Sequence, residues 1–273
     1  MTFSVVARDP ETGRLGVAAA SAVLAVGRTV PWARAGVGVV ATQAFPNRGF
    51  GPVGLRSLAQ GRPGPAVLAA LLAADPQRAD RQVAVLDASG AVAAWTGGGC
   101  IPACADVQGE GFSVQGNMLA SRSVVPTMAA TYAGTGGGFS ARLLAALVAA
   151  DEAGGDIRGR QSAALLIVGP ERDDDTQPVE VDLRVDDHAD PIGELQRLTA
   201  LQRALEDGDW ETLQHAAYGG LRELYSALAA ARRGDVDQAR SALNLLRREP
   251  GWDALLRRMR AAGRLDHAGE LLD

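Results

Sequence analysis

The sequence predicts an α+β chain in which a four-layer αββα sandwich precedes a small all-α tail. Two observations carry this. Short β-rich runs and pairs of Ala/Leu-rich helical stretches follow in the order strands, two helices, strands, two helices, strands. A doubly wound parallel sheet would instead alternate strand and helix singly. From Ile192 onward the composition shifts to Leu, Ala, Arg and Glu with almost no β-branched residues, which predicts domains of 1–192 and 193–273.

Residues 4–8 read as the first strand, and Asp9-Pro10-Glu11-Thr12-Gly13 supplies the turn into a returning strand over Leu15–Ser21. Residues 36–42 form a third strand, followed by helices over 50–61 and 65–74, the latter with Leu68, Leu71 and Leu72 at helical spacing. Residues 82–87 and 91–96 flank a Ser89-Gly90 turn and predict a hairpin. A strand over 112–115 is expected to pass through Gly116-Asn117 into a helix over 124–132. A further helix over Phe139–Glu152 ends at Gly154-Gly155. Ser162–Val168 lacks alternation and reads as a buried strand, whereas 178–185 alternates as an edge strand does. In the tail, the stretch from Arg233 through Asp235 and Leu243 to Trp252 resembles a tetratricopeptide-type helical hairpin, with a degenerate copy at Leu205 to Trp210.

At 273 residues and 47% apolar composition the chain has ample core. No window approaches a membrane span and the apolar start is too short for a signal peptide, so a cytoplasmic protein is expected. All 27 basic residues are Arg, so no Lys serves as base or Schiff-base former. With a net charge of −5 and dispersed arginines, nucleic acid and membrane are not expected partners. Cys100 and Cys104 form a lone C-x3-C remote from His188, His215 and His267 and read as free thiols rather than a metal site, with a disulfide or a catalytic thiol as the alternatives. Asp186-Asp187-His188 reads as a hydrated acidic linker ahead of an ion site. Neither a metal nor a cofactor is expected.

The chemistry centres on Thr2. Removal of Met1 would leave a residue carrying both a nucleophilic Oγ and an α-amine of pKa about 7.7–8.0 that can take its proton. The strand over Leu15–Ser21 would bring Ser21 to the same end, where its hydroxyl bonds the amine or merely closes a turn. Gln43 and the N–H of Ala44 end the third strand there and are expected to bind substrate. Asn117, placed at a helix N-terminus, either lines an oxyanion hole or caps the helix. Arg158 and Arg160, in a polar loop ahead of a buried strand, either read a substrate carboxylate or form an internal ion pair.

Taken together, the segments Met1 to Gly13, Gly36 to Ala44, Gln115 to Leu119, Gly154 to Ala164 and Arg184 to His188 resemble one bacterial and archaeal family, the domain of unknown function 1028. The resemblance covers about residues 1–195 and implies the αββα fold of N-terminal-nucleophile hydrolases, with Thr2 as nucleophile. Compared with proteasome-like subunits, Ala20 replaces their acidic partner and their catalytic Lys has no counterpart, leaving the pattern of small-amide hydrolases. The expectation is an amide hydrolase acting on a small carboxamide or peptide-like substrate, assembled as a homo-oligomer, most simply a dimer. The competing expectation is an inactive scaffold acting through its helical tail.

Overall fold

The structure, a computed structural model, describes residues 2–171 and 179–272. Six strands form one antiparallel sheet in the order β10 (Val179–Val185), β9 (Ser162–Val168), β2 (Leu15–Ser21), β1 (Thr2–Arg8), β8 (Phe112–Asn117) and β7 (Ala105–Gly109). A second antiparallel sheet runs β3 (Pro31–Arg34), β4 (Gly38–Ala44), β5 (Arg81–Asp87) and β6 (Val92–Thr96). The chain is therefore a mixed α+β protein built on two antiparallel sheets.

Period-two alternation decides what each strand face meets. Val6, Leu15, Val17, Ala19 and Ala164 from the first sheet meet Val39, Ala41, Ala84 and Leu86 from the second in one buried cluster. Helices α1 (Phe50–Ala59) and α2 (Gly64–Ala73) cover the other face of the second sheet, where Phe50, Leu58, Val67 and Leu71 pack on Val40, Val83 and Val85. Helices α3 (Val124–Gly134) and α4 (Phe139–Glu152) pack on the first sheet. The approach of α4 is close: a Cβ at Gly16 would lie 2.8 Å from Leu143 and Phe139, so β2 has a glycine there.

The structure departs from the expected elements at three places. The third strand starts at Gly38 rather than residue 36, because Gly36 takes φ 60° in a turn that the Val37 N–H closes on the Arg34 carbonyl. Two short strands, β3 and β7, were not expected. The strand ending at Asn117 does not pass directly into a helix: residues 118–123 intervene, Met118 has φ 50°, and α3 starts at Val124. Val179–Val185 does form an edge strand; Pro178, its expected start, lies outside the described residues, as does Met1.

By internal contacts the chain divides into units of Met1–Gln196 and Arg197–Asp273, against the expected break at 192/193. The break falls within α5 (Pro191–Asp207). In the second unit, helices α6 (Trp210–Ala216), α7 (Gly220–Arg232), α8 (Val236–Leu246) and α9 (Trp252–Ala261) follow. Leu224, Leu228, Leu243, Leu246 and Leu256 belong to its core. Gly208 and Gly234, at φ 65° and 79°, each precede an Asp that caps the next helix, Asp209 accepting the Thr212 N–H and Asp235 that of Gln238. Among the described residues no helix is long and apolar enough to cross a membrane, and no group of three or more His, Cys, Asp and Glu stands together as metal ligands.

Candidate active site

Strand register brings the predicted residues together at one end of the sheets. Thr2 pairs with Asn117 across β1 and β8, and on its other side Thr2 Oγ1 donates to Ser21 Oγ at 3.2 Å. All three are buried, Thr2 being only 5% exposed. Gln43 reaches the same place from the opposite sheet, its Nε2 lying 3.3 Å from the Thr2 carbonyl oxygen. Asn117 Nδ2 donates to that oxygen at 3.5 Å.

Asn117 is thus not at a helix N-terminus. It ends a strand, and its amide group donates to Gln82 Oε1 at 2.9 Å as well as to Thr2, so it clamps Thr2 and does not present free donors of the helix-terminus kind. Gln43 is equally engaged. Its Nε2 donates to Gln82 Oε1 at 2.8 Å and to the Gln115 carbonyl at 3.3 Å, and its Oε1 accepts from Ser4 Oγ at 2.7 Å. Ala44, expected beside it, pairs with Arg81 in register and takes φ 67°, turning the chain out of the strand.

These contacts belong to a buried amide and hydroxyl network between the sheets. Ser113 Oγ donates to Gln115 Oε1, Gln115 Nε2 donates to Ser4 Oγ, and Ser4 leads through Gln43 to Gln82. Gln82 Nε2 faces the carbonyls of Gly116 at 2.9 Å and Ala105 at 3.1 Å and the hydroxyl of Thr96, which in turn donates to Asp106 at 2.6 Å. Neutral amides are far less costly to bury than ions, provided that each finds partners, and these do. Ser4, Gln82, Gln115, Ser113, Thr96 and Asp106 escape a reading of the sequence because no motif marks them: Ser113 and Gln115 read simply as part of β8, and Asp106 lies in β7, a strand that was not expected. The available signal was register: Gln43, Gln82 and Gln115 all fall on the alternation phase that faces the other sheet.

Loops at this end form the rim. Asp156 accepts the N–H of Ala22, the residue after Ser21, at 2.9 Å and pairs with Arg158 at 3.2 Å; Arg160 pairs with Asp151 at 2.9 Å. The Arg160 pair draws its guanidinium further toward the charged form through the Asp151 hydrogen bond. Both arginines therefore lie beside the site engaged with carboxylates of their own chain. Met118 donates to the Ile101 carbonyl and receives the Ile157 N–H, so the loops carrying these isoleucines flank the residue after Asn117. Leu24, Phe45, Ile101 and Ile157, all on loops at this end, are 42–68% exposed. Cys100 and Cys104 are free thiols in the same loop region; burial pushes the Cys100 thiol up to about 11.

A chain with these segments in this arrangement has relatives. Residues 2–195 match the DUF1028 family, a family of unknown function, and the chain belongs to it. Among solved structures it is similar to the crystal structure of protein SPO2555 from Silicibacter pomeroyi, of the same family, at 38% identity and a TM-score of 0.67, over 74% of this chain and 85% of that one. No curated protein matches the sequence.

Proposed function

We propose that the two facing sheets and their helices are the αββα sandwich of the N-terminal-nucleophile hydrolases, and that the chain is an amide hydrolase once Met1 is removed. The observation carrying this reading is the position of Thr2: first described residue of a central strand, hydroxyl on Ser21 and carbonyl held by two side-chain amides. Cleavage before Thr2 turns its nitrogen into a primary amine one carbon from the carbon bearing Oγ1. The amine takes the hydroxyl proton as Oγ1 bonds to the substrate carbonyl carbon; that proton then passes to the leaving nitrogen as the C–N bond breaks. Water hydrolyses the resulting ester and restores the hydroxyl. Ser21 accepts the Thr2 O–H before attack, and Asn117 and Gln43 hold the residue still. The exposed Leu24, Ile101 and Ile157 and the engaged state of Arg158 and Arg160 favour an uncharged, apolar small amide or peptide-like substrate.

A β-lactone probe tests this. Wild type should gain one acyl adduct on Thr2 and the Thr2→Ala variant none; absence of any wild-type adduct across several electrophiles would remove the support.

A second reading has its own observation. Thr2 is 5% exposed, and the helical unit has a cavity of about 560 Å³ lined by Gln214, His215, Arg222, Glu223 and Leu245. In that reading the first unit keeps the architecture without chemistry, and the tetratricopeptide-like tail is the working surface. Retention of Met1 in protein from the native host would favour it.

A further inference from the structure

We infer that Gln82 is the positioning residue of the Thr2 site, an inference that rests on the hydrolase reading. After cleavage before Thr2, that residue has no chain on its nitrogen side. Its backbone is then restrained through β1, through its pairing with Asn117 on β8, and through the side chains that hold its carbonyl oxygen. Two side chains hold that oxygen, Gln43 Nε2 at 3.3 Å and Asn117 Nδ2 at 3.5 Å. They come from different sheets, and both donate to a single atom, Gln82 Oε1, at 2.8 and 2.9 Å. Gln82 is fully buried and acts on Thr2 through the two amides that reach it.

The orientation of the Gln82 amide is fixed independently of those two partners. Its Nε2 faces the Gly116 and Ala105 carbonyl oxygens. A flip would set oxygen against oxygen on that side and N–H against N–H on the other, so only one arrangement is satisfied. A residue on β5 thereby aims donors from β4 and β8 at the main chain of β1. Small displacements of a nucleophile are costly: about 1 Å is worth on the order of 10²-fold in rate.

The experiment uses full-length protein with Met1 removed and a β-lactone as probe, comparing wild type, Gln82→Met and Gln82→Glu. Gln82→Met keeps the length and loses both polar ends; it should label Thr2 at least tenfold more slowly at temperatures well below its melting point. Side-chain amide hydrogens of Gln43 and Asn117, followed by NMR, should exchange at least tenfold faster in that variant. Gln82→Glu supplies a rescue: a protonated carboxyl can donate to Gly116 or Ala105 while its carbonyl accepts from Gln43 and Asn117, whereas the ionised form sets a negative oxygen against those main-chain carbonyls. Its labelling rate relative to wild type should therefore approach unity at low pH and fall as pH rises, a profile that general loosening of the core would not produce. Wild-type labelling and amide exchange in Gln82→Met, or a flat Gln82→Glu ratio, would overturn the assignment. Should Gln82→Met fail to fold, the Gln82→Glu profile decides. If wild type is not labelled at all, the hydrolase reading fails by itself, and unchanged amide exchange in the variants would separately dismiss the role of Gln82.

Discussion

Thr2 and Ser21 stand side by side at the ends of β1 and β2, hydroxyl to hydroxyl at 3.2 Å, both buried and both on the face turned toward the second sheet. The pairing follows from register. Phe3 opposes Ala20 in the antiparallel ladder, so the next residues outward are brought together. Ser21→Ala should leave the strand pairing intact and slow Thr2 acylation by about tenfold, the value of one lost hydrogen bond of about 1 kcal/mol or a little more. Unchanged acylation in this variant would confine Ser21 to a structural role.

Asn117→Ala is expected to act on both the fold and the site. It takes a side-chain donor from the Thr2 carbonyl and another from Gln82 Oε1. Chemical denaturation should show a loss of about 1–3 kcal/mol, since the acceptors left behind are buried. Thermal or urea curves identical to wild type would contradict the network as described.

The pair Arg81 and Asp75 predicts acid sensitivity. The Arg81 hydrogen bond, helped by the Gln77 N–H and Asn47, holds the Asp75 carboxyl below its usual value against the opposing effect of burial. Arg81 also binds the carbonyl of Phe45, anchoring the loop that leaves β4 beside the site. A carboxyl depressed in the folded state contributes stability that is present above its unfolded pKa of about 3.9 and lost as pH falls through the folded value. Melting temperature should drop below about pH 4, and Asp75→Asn should be less stable at pH 7 while losing less further stability on acidification. A variant with the full wild-type acid limb would show that other carboxylates carry it.

Helix α1 lies so close to β3 that Gly51 has no room for a side chain, a Cβ there falling 2.1 Å from the Trp32 ring. Gly51→Ala should cost about 1–3 kcal/mol through displaced packing, despite the better helix propensity of Ala. Equal or higher stability in urea melts would mean that α1 can shift freely on its sheet.

The two thiols should differ in reactivity. Cys100 is buried, with its thiol donating to the Arg81 carbonyl and pushed up to about 11, while Cys104 is partly exposed. Alkylation of native protein at pH 8 should modify Cys104 first, and Cys100 only on unfolding. Rapid labelling of both would contradict the packing of this loop.

Much of the architecture was readable from the order of strands and helix pairs, because apolar runs of the length of Ser162–Val168 or Phe139–Glu152 admit few alternatives. The strands Pro31–Arg34 and Ala105–Gly109 escaped for opposite reasons. The first is four residues opening on Pro, and the second, Ala-Asp-Val-Gln-Gly, has one β-branched residue and lies at a sheet edge where burial demands little. At the site, Thr2, Ser21 and Gln43 are expected at strand ends and Asn117 at a helix N-terminus, and the structure brings all four together. Asn117 instead ends β8, and residues 118–123 separate it from α3. Gln82 was invisible for a different reason: in Gln-Val-Ala-Val-Leu a lone polar residue at a strand start reads as an edge of the core. Only the pairing of β4 with β5, which sets Gln43 opposite Gln82, reveals that it lies inside.

The proposed hydrolase requires residue 2 to be a free amino-terminal threonine that forms an ester. Intact mass spectrometry of protein from the native host, before and after incubation with a β-lactone, tests it most directly. The expected result is a chain lighter by one methionine that gains a single acyl group, with the adduct mapping to Thr2 and absent from Thr2→Ala. A chain that keeps Met1 and stays unmodified would contradict it.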